Sequence, residues 1–389
     1  MTSSLLSHPW IRALRFIAAC LSFATIGSVA AAQSGPVKHY LYVSVPDGAQ
    51  DSLAEHAPGI AVFDIDDGHK FVRFIPVPQF SPPGSKGVSA RQFGLRGFCA
   101  SLVNHAAYYT AENGLLGCFD LETEKVLWEV NLPEGADRAD ITLDGKKLYV
   151  PTGWWDRGPG GGMFIVDARD GKVMKRVSIG PGAHNSFVTP DGQYLLIGGI
   201  EWFAMFRTAT DEKILYLDDV GDGGMFPFTV DGRNQRAYLS RTKHVGVDIV
   251  DLKLGERTHV IQDGLPPIPR RTHGVALTPD EKELWLSDQA GKRLLVYDNT
   301  VVPPVKKQDI KLVRDGHGWV LFSMDGRYAW CHTEEVIDTK TKQVVAILRD
   351  EKGRLLAGSK YFEVHLQGKK VVAVGSQFPI GRVTQPATR

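Results

Sequence analysis

The sequence predicts an all-β protein: seven four-stranded antiparallel units arranged radially as a β-propeller. Three observations carry that reading. The 389 residues include 41 Gly and 22 Pro, too many chain breakers for a helical protein. Between them lie short runs rich in Val, Tyr and Phe, the composition of strands joined by tight turns. One pattern, an apolar run closing on a turn residue, then recurs seven times along the chain.

The seven copies are Ala61–Asp64, Gly117–Asp120, Phe164–Asp167, Ala204–Arg207, Asp248–Asp251, Leu295–Asp298 and Glu335–Asp338, with steps of 56, 47, 40, 44, 47 and 40 residues between their last positions. Roughly 40–50 residues is the length of a propeller blade, well above that of a leucine-rich repeat. Upstream of several copies sits a hairpin with its own turn signal: Ile141 to Val150 around Asp144-Gly145, Phe187 to Ile197 around Pro190-Asp191-Gly192, and Val275 to Leu286 around Pro279-Asp280. Each unit therefore reads as strand A, tight turn, strand B, loop, strand C, polar turn, strand D. The recurring acids at the end of strand C are read as turn caps, because Asp side chains bond the backbone two residues on.

The first unit lacks a strand A, since His39–Val45 already reads as strand B. The C-terminus supplies a surplus hairpin, Phe362–Leu366, a turn at Gly368, and Val371–Val374. Pairing that surplus with the first unit closes the ring and removes a bare sheet edge. Because it is a hairpin, an eighth blade stays open as an alternative.

The turn Thr189 to Gly192 and the strand Leu148-Tyr149-Val150-Pro151-Thr152 resemble the blade signature of YVTN-type β-propellers. The resemblance covers nearly the whole chain after residue 32. It implies the fold and leaves the activity open, since relatives of that shape include surface-layer proteins, amine dehydrogenase large subunits, haem d1 domains and a lactonase.

Ahead of the repeats, Arg12 and Arg15 precede an apolar stretch from Phe16 to Ala32 that ends in three Ala. This is the pattern of a cleaved export signal, so residues 1–32 are expected to be a signal peptide and 33–389 a single propeller domain, periplasmic or secreted. Nothing further along approaches a membrane span. With 45 Lys+Arg against 44 Asp+Glu the chain has no basic field for nucleic acid. Of the four Cys, Cys20 falls within the expected signal peptide; the remaining Cys99, Cys118 and Cys331, an odd number without CxxC or CxxCH spacing, read as buried free thiols in a monomer. There is neither a GxSxG elbow nor a phosphate loop.

Residues opening strand A converge on the axis of a propeller. Seven positions before the turn Asp stand His184, His273 and Asp137, and eight before Asp325 stands His317. These three His form a candidate transition-metal ligand set, with Asp137 beside them. Arg96, closing the long connection from Val77, and the loop aromatics Trp154, Trp155 and Trp202 complete an amphipathic rim suited to a small molecule or a partner loop. The expected function is a binding or scaffold propeller with its ligand or partner held over the channel mouth. The alternative is an enzyme: a metal-assisted hydrolase or lyase, or an oxidoreductase subunit using a partner's redox centre.

Overall fold

The computed structural model describes residues 35–45, 59–77, 94–111, 114–153, 156, 158–224, 227–268, 271–314, 318–356 and 360–376. Their strands form seven antiparallel sheets, six of four strands and one of five, and no helix occurs among them. The ring has seven blades, so the eight-bladed alternative is set aside.

Strands A run innermost and strands D outermost, which burial shows directly. In blade 3, strand C (Gly162–Asp167) is buried up to its last residue, while strand D (Val173–Ser178) is mostly exposed. Blade 1 is closed as expected: Tyr361–Gln367 pairs antiparallel with Val37–Val45 and serves as its strand A. The rest of the surplus, Lys370–Val374, becomes a fifth strand on the inner edge of that blade. Val371 and Val374 there are buried with Leu95 and Phe98 of the next blade. The last of the described strands thus packs the inner edge of blade 1 onto blade 2.

The acids ending strand C cap their turns. Asp251 Oδ1 accepts the N–H groups of Lys253 and Leu254, at 2.9 and 2.8 Å, and Asp64, Asp120, Asp167, Asp298 and Asp338 act alike. Each C–D pair also carries a register shift. In four blades a non-glycine residue at the turn, His69, Glu124, Asp211 or Lys342, adopts φ between 56 and 62°. Asp251→Ala should therefore cost about 1 kcal/mol, the usual worth of a side-chain cap, read from urea unfolding midpoints.

These turn residues also join the blades. An aromatic on strand B of one blade reaches the C–D turn of the next: Tyr42 Oη to Glu124 at 3.2 Å, Tyr149 Oη to Asp211 at 2.7 Å, and Trp330 Nε1 to His69 Nε2 at 3.0 Å. The last of these links blade 7 back to blade 1. Cys99, Cys118 and Cys331 are buried free thiols, as expected.

Candidate functional site

Strand A of blade 3 is short, Asp140–Ile141, and the segment before it curls against blade 4, where Arg138 forms a bridge with Asn185. Blade 4 fixes that curl: Ser186 Oγ donates to the Arg138 carbonyl at 2.8 Å. Blade 2 packs hard on the other side, where a Cβ on Gly97 would lie 2.8 Å from Arg138 Cα and from the Asp137 carbonyl oxygen. That close approach needs glycine and sets Arg96 beside Asp137.

Asp137 is fully buried, and Arg96, Arg138, His184 and His273 nearly so. Asp137 Oδ2 lies 2.6 Å from His184 Nδ1, and Arg138 Nη1 lies 3.1 Å from Asp137 Oδ1 and 2.5 Å from His184 Nε2. The partners assign the tautomer: Nδ1–H donates to Asp137 and Nε2 accepts from Arg138. Burial alone would raise the Asp137 carboxyl, but His184, Arg138 and Arg96 outweigh it and hold it well below the usual carboxylate range. Burial, with Arg138 adding to it, lowers His184 to about 4. At neutral pH the pair is an ionised Asp and a neutral His.

The cluster continues across the axis to the blades opposite. The Arg138 guanidinium stands 5.5 Å from the ring centre of Trp319, which opens strand A of blade 7. Lys360, which opens strand A of blade 1, sits 5.5 Å from the same ring, and His273 meets it edge-on at 5.7 Å. His184 and His273 are therefore brought to one cluster, but through Arg138 and Trp319 rather than side by side. Of the residues singled out from sequence, Asp137 and His184 are in contact, Arg96 lies close enough to both to act on their charges, and His273 packs on Trp319. His317, Trp154 and Trp155 lie outside the described residues.

Trp202 is not at the mouth. It starts strand C of blade 4, is 1% exposed, stacks on Tyr216 and donates its indole N–H to the Pro181 carbonyl at 2.8 Å. A Cβ on Gly199 would fall 2.3 Å from that indole, so the flanking glycine makes room for a packing residue. Three members were missed from sequence: Arg138, Trp319 and Lys360. Arg138 and Trp319 both stand six positions before their turn Asp, one residue after Asp137 and two after His317.

As for metal, among the described residues no group of three or more His, Cys, Asp or Glu side chains is placed to hold an ion. Both ring nitrogens of His184 are engaged, one by a guanidinium that would repel a cation. The chemistry the cluster offers is cationic: Arg96 and Arg138 lie beside Asp137, and Arg138 and Lys360 lie against the Trp319 indole, all three cations buried.

No family model matches the chain, and no curated protein matches it. Solved structures do. Hydrazine synthase of Kuenenia stuttgartiensis is similar at a TM-score of 0.59 and 12% identity, over 78% of this chain and 93% of that one. The dihydro-heme d1 dehydrogenase NirN, in complex with DHE, is similar at 0.54 and 16%, over 82% and 74%. The Cps50 (Swd1) β-propeller domain of Myceliophteria thermophila is similar at 0.52 and 13%, over 65% and 86%. At such identities the likeness is one of fold, and what these findings establish is that the chain is a seven-bladed β-propeller.

Proposed function

We propose that this protein is an exported binding propeller whose channel mouth receives the acidic group, carboxylate or phosphate, of a ligand or of a partner's loop. The observation that supports it is the placing of Arg138 and Lys360 against Trp319, with Arg96 beside Asp137, from four different blades. Guanidinium groups suit carboxylates and phosphates because their planar donor forks match two oxygens at once. Asp137 and His184 hold the Arg138 head in place, so its orientation is set before a ligand arrives. Export rests on the pattern of residues 12–32. YVTN-type membership, carried by the turn at Thr189 to Gly192, belongs to the same proposal.

The enzyme reading keeps one supporting feature, an Asp–His pair with a defined tautomer, which is how a general base is oriented. Arg138 on the outer nitrogen works against it. The neighbours do not decide, since propellers serve both catalytic and scaffold assemblies.

Calorimetric titration with inorganic phosphate and with citrate at constant ionic strength tests the proposal. Saturable binding of either anion by the wild type, weakened at least tenfold in Lys360→Gln and Arg96→Gln variants that keep their fold, is the expected result. No saturable binding of either anion overturns it. One transition metal per chain by elemental analysis of untagged protein would move the assignment to the enzyme reading.

A further inference from the structure

Beyond Arg138, at the other end of strand A of blade 3, residues of blades 2, 3 and 4 and the segment after the fifth strand line a small space. It is lined by Cys99 and Ser101 of blade 2, Asp140 and Thr142 of blade 3, Val188 of blade 4, and Ser376 just after the fifth strand of blade 1. Its volume of about 30 Å³ is room for two water-sized guests, at roughly 10–15 Å³ each. Asp140 Oδ2 accepts the Val188 N–H at 2.7 Å, tying blade 3 to blade 4. No Lys, Arg or His lines the space. Cys99, the other ionisable group facing it, is kept as a thiol by burial.

A desolvated carboxylate is costly unless a proton or a cation shares its charge. Burial lifts Asp140 to about 7, and the N–H groups of Val188 and Ile141 offset only part of that. Divalent ions take six or more oxygens, with several carboxylates among them. One carboxylate and three hydroxyls, those of Ser101, Thr142 and Ser376, make a poorer, less charged set. Thr142 gives its proton to Asp144 at 2.6 Å and accepts the Lys147 N–H at 3.0 Å, which leaves its oxygen one further lone pair.

We infer that this space is a site for one small monovalent cation with a single water, Asp140 being its anionic ligand and the Ser101 and Thr142 hydroxyls its neutral ones. It is distinct from the cationic cluster and independent of the anion proposal.

Thermal unfolding at pH 8 in sodium, potassium or choline chloride at equal ionic strength provides the test. The wild type should melt at least about 2 °C higher in sodium or potassium than in choline, as ligand linkage requires. Asp140→Asn should lose the difference while keeping the fold, and Thr142→Val should reduce it. Sodium-23 relaxation on the wild type gives a second readout that needs no variant: excess relaxation displaced by potassium. Equal melting in all three salts, or an equal difference in Asp140→Asn, overturns the inference, as does sodium relaxation no greater than that of bulk solution.

Discussion

Ending the chain after Leu356 is expected to leave no cooperatively folded protein, whereas ending it after Gly368 leaves a folded one. The first truncation removes Tyr361–Gln367, the strand A of blade 1. Tyr361, Phe362 and Val364 in it are at most 1% exposed, and each such side chain contributes about 1.5–3 kcal/mol on burial. Their loss, with the inner edge of Val37–Val45 laid bare, consumes a large part of a typical net stability of about 5–15 kcal/mol. The Trp330–His69 link across the ring closure would lose its support as well. The second truncation removes only the fifth strand, whose buried members are Val371 and Val374, so stability should fall by roughly 3 kcal/mol without loss of cooperativity. Near-UV circular dichroism with urea unfolding separates the outcomes. A cooperative transition in the shorter chain would mean that the ring does not depend on its C-terminal strand.

The second large effect is a pair of opposed titrations. His184 and His69 are both neutral in the fold, lowered to about 4 by burial, with Arg138 adding to it at His184 and Arg327 at His69. His69 Nε2 must also stay unprotonated to accept the Trp330 N–H. Between pH 6.5 and 4 the unfolded chain binds more protons at these two sites, so stability falls as pH falls, by at most about 1.4 kcal/mol per pH unit for each. Asp140 acts oppositely. Its folded value, about 7, lies above the ordinary carboxylate value, so the fold binds the extra proton and gains stability as pH falls from 7 toward 4. In sodium-free buffer the wild type should lose roughly 1 kcal/mol per pH unit between pH 6 and 4.5, and Asp140→Asn about twice as much. Urea unfolding at a series of pH values measures both slopes, and parallel slopes would refute the assignment of Asp140.

The architecture was legible because its devices are local. An acid two residues before the N–H it caps, or an Asp-Gly between two short apolar runs, states its backbone conformation without help from the rest of the fold. Counting back from those turns reached Asp137, His184 and His273. It stopped one residue short of Arg138 and two short of Trp319, because the side chain that enters the cluster depends on how the segment before strand A curls. Ser186 on a neighbouring blade decides that curl, and no spacing within one unit records it. Lys360 escaped for another reason: its unit turns at Gly368 and has no turn Asp to count from. Trp202 was misplaced because an aromatic after an acid in a loop looks like a rim residue. Only the pairing of its strand shows it facing into the blade.

The closure of blade 1 sets a timetable for the molecule's birth. Val37–Val45 leaves the ribosome before any strand of blades 2 to 7 and Tyr361–Gln367 after all of them, so the earlier strand waits for its partner while six blades are made. Blades 2 to 7 are each made from contiguous sequence and have all their strands as they emerge, but the ring has a seam until residue 367 is free. During that interval the inner edge of the first strand is an open template for other chains, and a nascent propeller of this design depends on something else to cover it.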